Sequence, residues 1–360
     1  YGIQVFSSNY TLYGDMSRRV MMTLEQLAPR VDVYSIDEAF LDLTGIERLL
    51  SIEDFGREIK NAVYRNVGLP VCVGIAPTRT LAKLANHAAK KYPATRGVVD
   101  LTDPARQRRL MNLVSVEDVW GVGRKLSVKL KEMGIGTALQ LAYADPATLR
   151  KRFSVVLERT ARELNGISCQ PWEDVPPAKQ QIMCSRSFGQ PLQKLGDLEE
   201  AVTHFAALAA QKLRSGEQYA GMLMVFIRTN PFKTSAPQYS QSASVKLIKP
   251  SQDSRVIIRQ ALNLLRPMYR EGFDYAKAGL LLGELVDAGN IQEDLFDAES
   301  GQPQDSERSE RLMTVMDAIN QKYRSTVFMA REAGPGSYVM RREHLSPAYT
   351  TDWVNLPWVK

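Results

Sequence analysis

The sequence predicts a protein of several domains that combines an α/β layer, an all-helical segment and an α+β module. With 360 residues, the chain is long enough to build two or three separate cores. The hydrophobic period alternates between strand and helix in residues 1–107, is helical throughout residues 108–172, and alternates again in residues 181–286. These changes of period predict the domain boundaries.

Residues 1–107 are predicted to form the α/β layer. Apolar residues spaced by three and four predict a first helix, which Pro29 ends. Two short strands follow and meet near Asp37, and Gly45 closes the second strand. The remaining predicted elements are a helix over 52–66, a buried strand over 71–75 and a helix over 80–91.

Two further regions follow, separated by a proline-containing linker at 173–180. Residues 108–172 are predicted to be helical, with glycines at the turns. Residues 181–286 contain two similar halves, which predict a β-α-β-β-α-β module. Its predicted elements are strands near 181–189, 219–229, 242–248 and 275–285 and helices over 197–214 and 252–270.

Charge is distributed unevenly along the chain. The formal net charge is +6, which favours an acidic partner such as nucleic acid. Residues 181–285 carry 13 Lys and Arg against 8 Asp and Glu, whereas residues 286–310 carry one Arg against 8 Asp and Glu. The sequence therefore predicts a basic module followed by an acidic tether at 287–310, in which no packed core is expected.

Several classes of protein do not fit this composition. The three cysteines (Cys72, Cys169 and Cys184) have no zinc or disulfide spacing, which fits a reducing cytoplasm. No run of 18 or more apolar residues is present, so no membrane span is expected. The chain opens at Tyr1 without the features of a signal peptide. Its first residues resemble the inside of a domain, so the sequence is expected to be a fragment.

Segment 35–42 contains the most informative side chains, the adjacent carboxylates of Asp37 and Glu38. In a regular strand they would point to opposite faces, but at the mouth of a strand–turn–strand unit they can converge. Converging carboxylates repel each other unless a divalent cation lies between them, and such oxygen ligands suit Mg²⁺ or Mn²⁺ held with substrate phosphates. A solvated acidic turn is the alternative, and spacing alone leaves both interpretations open.

The order Ser-Ile-Asp-Glu-Ala-Phe-Leu-Asp over 35–42 resembles the palm motif of the Y-family DNA polymerases. It is followed, at the interval expected in that family, by Gly-Ile-Ala-Pro-Thr-Arg-Thr-Leu-Ala-Lys-Leu-Ala over 74–85. Further segments resemble the bacterial branch that supplies the catalytic subunit of the SOS-induced DNA polymerase V. They lie at 6–10, 184–189, 244–247 and 345–351, so the resemblance covers essentially the whole chain.

This resemblance implies an error-prone, template-directed DNA polymerase that acts in translesion synthesis and SOS mutagenesis. Its substrates would be primer–template DNA and deoxynucleoside triphosphates. Asp37 and Glu38 would bind two Mg²⁺ ions, with Mn²⁺ as an alternative, and Lys90 would contact the triphosphate of the incoming nucleotide. The alternative function is that of a non-catalytic repair accessory protein that binds DNA and a sliding clamp.

The resemblance also implies the right-hand architecture of the family. Residues 1–107 would be an incomplete palm, 108–172 the thumb and 181–286 the little finger. In the family, the first palm strand carries another metal-binding aspartate and is followed by the fingers, and neither is found in this sequence. The chain by itself is therefore expected not to extend a primer, whereas the complete parent protein is expected to do so.

Residues 119–135 fit a helix-hairpin-helix whose turn contains Gly121 and Gly123. Such a turn lets backbone N–H groups approach a phosphate at the start of a helix. The neighbouring Arg124 and Lys125 favour contact with a DNA backbone. A plain helix connection is the alternative, but the family places this hairpin in its thumb.

The basic module resembles the little finger, a domain that grips template and primer through their phosphates. Arg186, which is flanked by serines, and Lys246 are the predicted contacts. Contacts of this kind give salt-dependent affinity with little sequence preference. The alternative is that the excess of positive charge is only a solvated surface.

Gln292, Leu295 and Phe296 in the acidic tether form a sequence similar to the bacterial sliding-clamp peptide, Gln-x-x-Leu-Phe. Because the tether has no core that Leu295 and Phe296 could join, the pair predicts docking into a partner's pocket. Glu293 stands where strong clamp binders usually have an apolar residue, which predicts modest affinity.

Residues 311–360 resemble the C-terminal tail of the same polymerase branch, with a helix predicted over 310–323. That resemblance implies association with the processed UmuD dimer and activation by a RecA filament. The expected location is the bacterial cytoplasm, at the nucleoid when the enzyme is active.

Overall fold

A computed structural model of the chain describes residues 2–48, 50–172, 178–288, 303–323, 326–334, 336 and 338–356. The chain divides into two compact units. One comprises Tyr1–Pro176 together with His344–Lys360, and the other comprises Pro177–Glu343.

The first unit begins with a helix, a β-hairpin and a second helix. The elements are α1 (Tyr10–Glu25), β1 (Arg30–Val33), β2 (Ala39–Asp42) and α2 (Ile52–Val67). The two strands pair antiparallel, as predicted, with Val33 opposite Ala39 beside the turn. Met21 and Leu24 of α1 pack with Phe55, Ile59 and Val63 of α2 in a common core. The predicted helices and hairpin are confirmed.

Helix α3 (Arg79–Lys91) packs on a parallel strand pair, β3 (Val73–Ile75) and β4 (Val98–Asp100). The Thr78 side chain caps the helix by accepting a hydrogen bond from the Leu81 N–H. Gly74 of β3 lies so close to α3 that a Cβ there would be 2.3 Å from the Ala82 carbonyl oxygen. Because the carbonyl oxygen belongs to the backbone of α3 and cannot turn aside as a side chain can, α3 can lie this close to β3 only while residue 74 has no side chain.

Residues 104–164 are helical, as predicted. The helices are α4 (Pro104–Leu113), α5 (Arg124–Glu132), α6 (Ala138–Tyr143), α7 (Pro146–Arg152) and α8 (Val155–Leu164). Their buried side chains, including Val114, Leu130 and Leu164, share one core with Leu81 and Leu84 of α3. The helical segment therefore belongs to the same compact unit as the strands before it.

A buried carboxylate joins the start of α3 to the end of α8. The Glu163 Oε2 atom accepts hydrogen bonds from the Thr80 N–H at 2.9 Å and from the Thr80 hydroxyl at 2.5 Å. The Thr78 hydroxyl donates to the Glu163 carbonyl oxygen at 2.8 Å. Glu163 is only 1% exposed, and its charge lies at the N-terminal end of α3, where the helix dipole favours an anion. These bonds fix the position of α3 within the first unit.

The second unit is built on a four-stranded antiparallel sheet in the order β5-β8-β6-β7. Its elements are β5 (Ile182–Leu192), α9 (Leu195–Ser215), β6 (Gln218–Thr229), β7 (Ser240–Ser251), α10 (Ser254–Met268) and β8 (Tyr275–Asp287). Helices α9 and α10 pack together and share one core with the strands. The predicted β-α-β-β-α-β module is confirmed.

Helix α11 (Pro303–Tyr323) also belongs to the second unit and begins seven residues before the predicted start at 310. The prediction of an unstructured tether as far as residue 310 was therefore wrong over residues 303–310. The contacts that stabilise this helix could not be predicted from composition. Arg214 donates two hydrogen bonds to Asp317, at 2.6 and 2.8 Å, and Met313 is buried. Neither α11 nor any other described helix is long and apolar enough to cross a membrane.

The last described residues return to the first unit. Ser7 forms an isolated parallel bridge with Leu345, and the Ser7 N–H donates to the His344 carbonyl oxygen at 2.7 Å. The Asn9 amide group donates to the Ser346 carbonyl oxygen at 3.2 Å. The predicted tail 311–360 is thus divided, because its described residues up to 343 belong to the second unit and those from 344 to the first.

Replacing Gly74 by Ala tests the close contact between β3 and α3. Because the new methyl group would collide with backbone atoms, we expect a loss of about 1–3 kcal/mol in the free energy of unfolding. Gly14→Ala is the matched control, since Gly14 lies inside α1 with open space around its Cα. This control should be neutral or stabilise by up to about 1 kcal/mol. Equal effects in urea unfolding would contradict the proposed packing.

Candidate functional site

Asp37 and Glu38 lie at the tip of the β1–β2 hairpin. The turn is closed by the Glu38 carbonyl oxygen, which accepts hydrogen bonds from the Tyr34 and Ser35 N–H groups at 3.0 Å each. The Ser35 hydroxyl donates to Asp37 Oδ1 at 2.7 Å. Asp37 is therefore an exposed carboxylate at the tip, oriented by a neighbouring hydroxyl.

The Glu38 carboxylate forms an ion pair with α3. The Lys83 ammonium nitrogen lies 2.6 Å from Glu38 Oε2. The Lys83 side chain is 19% exposed and that of Glu38 is 33% exposed, so the pair is partly shielded from water. Lys83 therefore offsets charge at Glu38, a contact that the sequence did not predict, and metal binding by Asp37 and Glu38 stays a prediction.

Three aromatic rings surround the base of this hairpin. Trp120 lies 5.4 Å from Tyr34 and 6.0 Å from Phe40, measured between ring centroids. The Lys83 ammonium lies 5.3 Å from the centroid of the Tyr34 ring and 5.6 Å from that of Trp120. At these distances both rings attract the cation. The carboxylate hairpin, α3 and the helical segment therefore meet at one lysine.

Sequence reasoning missed the contributions of Lys83 and Trp120 to this site. A signal for Lys83 was present, because it precedes Lys90 by seven residues and two helical turns place both on the same side of α3. Lys90 lies in the last turn of α3 and is exposed. The structure brings Lys83 to Glu38, whereas the Lys90 side chain is exposed.

Arg79, at the first turn of α3, supports the hairpin from the other side. Its Nη1 atom forms an ion pair with Asp32 of β1 at 2.6 Å, and its guanidinium lies 5.0 Å from the Phe40 ring and 4.9 Å from the Trp172 ring. Its Nε and Nη2 atoms are buried and have no hydrogen-bond partner among the described residues. Arg79 thus fixes β1 and β2 against α3 by charge and by ring contacts.

The donor set at the tip fits a divalent cation in part. Asp37 and Glu38 supply carboxylate oxygens, the ligands that Mg²⁺ and Mn²⁺ prefer. Within the described ranges, no group of three or more His, Cys, Asp and Glu side chains is arranged to hold a metal. The further ligands of an ion at the tip would therefore be substrate phosphates, water or groups outside these ranges.

The predicted glycine hairpin lies between a single 3₁₀ turn (Val116–Asp118) and α5, so its first helix is shorter than expected. Gly121 has φ of +88°, a left-handed conformation that favours glycine, and Gly123 is the N-cap of α5. Because Gly123 has no side chain, the first N–H groups of α5 keep no side-chain cap. Both glycines are exposed, as are Arg124 and Lys125 beside them.

The two predicted contacts of the second unit lie on opposite edge strands of its sheet. Arg186 on β5 is exposed and stands opposite Ala278, whose side chain faces the buried side that packs against α9 and α10. Lys246 on β7 stands opposite Met222, on the other face, and forms an ion pair with Glu284 at 3.2 Å. The alternation of strand side chains therefore separates the two residues. The clamp-like residues Gln292, Leu295 and Phe296 lie outside the described residues.

Comparison with known proteins gives consistent matches along the chain. The model of the impB/mucB/samB family matches residues 2–87, that of its C-terminal domain matches 179–295, and a domain of unknown function matches 310–359. Protein UmuC of Salmonella typhimurium is 49% identical over 100% of this chain and 85% of its own length. Protein MucB of Escherichia coli is 50% identical over 99% of this chain and 84% of its own length.

Among solved structures, a Y-family DNA polymerase chimera of Dbh and Dpo4 has a similar fold. The TM-score is 0.57, and the match covers 78% of each chain at 21% sequence identity. At this level of identity the likeness concerns the fold alone.

Proposed function

The chain belongs to the impB/mucB/samB family, the UmuC-type branch of the Y-family DNA polymerases. We propose that Asp37 and Glu38 are its metal-binding catalytic carboxylates. Membership of this family confirms the predicted fold class and the predicted activity, DNA-directed DNA synthesis past damaged bases. It also favours a polymerase over a non-catalytic accessory protein. The observation that carries the proposal is the exposed Asp37 carboxylate at the hairpin tip, with Glu38 and Lys83 directly beside it.

Polymerases of this family depend on divalent metal ions. We propose Mg²⁺ as the physiological ion, bound twice, with Mn²⁺ able to replace it. When bound, such ions stabilise the attacking and leaving oxygens of a phosphoryl transfer. The protein's own contribution is to hold Asp37 at the tip through Ser35 and to hold α3 in place through Glu163.

Lys90 is the proposed contact for the incoming triphosphate. It is an exposed ammonium in the last turn of α3, on the side of the helix that also carries Lys83. A compact positive charge of this kind suits a phosphate without demanding a fixed geometry.

Carboxylate-to-amide substitutions test the catalytic assignment. In the full-length gene product, Asp37→Asn and Glu38→Gln should each reduce primer extension by about a hundredfold or more, because several kcal/mol of transition-state stabilisation is lost. Binding of primer–template DNA, measured by fluorescence anisotropy, should be retained. Glu58→Gln on the exposed face of α2 is the control and should keep full synthesis. Undiminished extension by Asp37→Asn would refute the assignment.

For DNA binding we propose two phosphate-contacting regions, one in each unit. The Gly121–Gly123 hairpin would present the free N–H groups at the start of α5, with Arg124 and Lys125 beside them. In the second unit, Lys246 on the open face of the sheet and Arg186 on the edge strand β5 would contact the backbone. All four side chains are exposed, and phosphate contacts need no base-specific geometry.

The dependence of DNA affinity on salt measures these contacts. Lys125→Ala, Arg186→Ala and Lys246→Ala should each lower the slope of log affinity against log salt by about 1, with little effect on sequence preference. Lys151→Ala, an exposed lysine of α7 outside both regions, is the matched control. A slope that is the same in the variants and the control would exclude these residues as phosphate contacts.

We further propose that Gln292, Leu295 and Phe296 bind the bacterial sliding clamp. The support is their sequence, an apolar pair within a strongly acidic segment. Replacing Leu295 and Phe296 together by Ala should abolish retention on immobilised clamp, because the apolar anchors are lost. Replacing Asp297 and Glu299 together by Ala is the control and should leave retention on the clamp unchanged. Retention that survives the first double substitution would discard the motif.

Association with the processed UmuD dimer and with a RecA filament is proposed on family membership alone. The same holds for action in the bacterial cytoplasm at the nucleoid. The C-terminal segment 310–359, which matches a domain of unknown function, is where we would seek the UmuD contact. Co-purification of the full-length gene product with each partner tests both associations, and failure to co-purify would count against them.

A further inference from the structure

The ion pair between Glu38 and Lys83 is difficult to reconcile with a constant role of Glu38 as a metal ligand. The Lys83 ammonium lies 2.6 Å from Glu38 Oε2, within the space that a divalent cation bound by the same carboxylate would need. Two cations a few ångströms apart in a partly shielded site repel each other strongly. A metal ion on Glu38 and the Lys83 ammonium therefore each weaken the binding of the other, even if they use different oxygens of the carboxylate.

Lys83 has a second set of partners beside the carboxylate. Its ammonium lies 5.3 Å from the centroid of the Tyr34 ring and 5.6 Å from that of Trp120. Because aromatic faces attract a cation without neutralising it, the ammonium can leave Glu38 and still keep favourable contacts. In its one position the ammonium therefore contacts both the carboxylate and the two rings, and the ring contacts do not depend on Glu38.

We propose that Lys83 is a positioning residue that occupies Glu38 while no nucleotide is bound and yields it when a metal ion arrives together with a triphosphate. This inference rests on the proposed catalytic role of Glu38. The triphosphate then replaces Glu38 as the anionic partner of the Lys83 ammonium. Lys90, two helical turns along the same side of α3, adds a second positive charge that the triphosphate can contact. The pair thereby disfavours metal binding without nucleotide and couples the binding of the two.

Binding of Mn²⁺ to the full-length gene product, followed by electron paramagnetic resonance, tests this coupling directly. Without nucleotide, Lys83→Met should bind Mn²⁺ about threefold to fivefold more tightly than the wild type, because the competing ammonium is gone. The gain in Mn²⁺ affinity on adding a deoxynucleoside triphosphate should shrink by the same factor. Lys83→Arg should restore the wild-type values, since it keeps the positive charge.

Matched variants separate this inference from the catalytic assignment. Lys90→Met should leave Mn²⁺ affinity without nucleotide unchanged and weaken only nucleotide binding. Asp37→Asn should remove Mn²⁺ from the site, and if it does not, the proposed catalytic site is wrong whatever Lys83 does. Lys83→Gln repeats the comparison with a polar neutral side chain should the Met variant unfold at lower temperature. Unchanged or weaker Mn²⁺ binding in a folded Lys83→Met or Lys83→Gln variant overturns the proposal.

Discussion

The buried Glu163 carboxylate is the constraint on which the placement of the site depends. A carboxylate that is almost fully buried is costly unless hydrogen bonds satisfy it; here the N–H and hydroxyl groups of Thr80 donate to Oε2 and the Cys169 N–H donates to Oε1. Both Thr80 donors belong to the first turn of α3, so the helix makes these two bonds only with its N-terminus directed at α8. The register of α3 against the helical segment follows from this requirement.

That register decides which side chains of α3 reach the carboxylate hairpin. Counting from Thr80, Lys83 lies almost one turn further along the helix, where it meets Glu38 and the rings of Tyr34 and Trp120. Trp120 directly precedes Gly121, the left-handed residue of the glycine hairpin. A single packed group thus links the proposed metal ligands to the proposed phosphate-binding turn.

Much of this arrangement could be predicted from the sequence, because it follows from local periodicity. The helices and strands of both units, and the position of Asp37 and Glu38 at a hairpin tip, depend on apolar spacing and on a short motif. The pairing of Glu38 with Lys83 could not be predicted in the same way. It joins residues that are 45 positions apart, and only the packing of α3 brings them together.

Two further features also depend on contacts between distant segments. The separation of Arg186 from Lys246 depends on strand pairing and on the side-chain alternation that the pairing imposes, neither of which charge counting can reveal. The early start of α11 is supported by contacts of Ser309 with Arg255 and of Glu310 with Tyr219. Composition describes a segment by itself, whereas these features are properties of two segments in contact.

The second unit shows why its C-terminal residues belong to its fold rather than forming an appendage. Helix α9 carries two buried acids, Glu199 and Glu200, which require partners. Glu199 pairs with Arg266 of α10 and with Arg331, and Glu200 accepts a hydrogen bond from the Gly336 N–H at 2.9 Å. Arg331 and the Gly336 N–H thus satisfy charges that α9 could not bury alone. The two buried acids of α9 therefore fit a domain that includes this later segment. The N-terminal part of the domain of unknown function, which matches residues 310–359, accordingly belongs to the second unit.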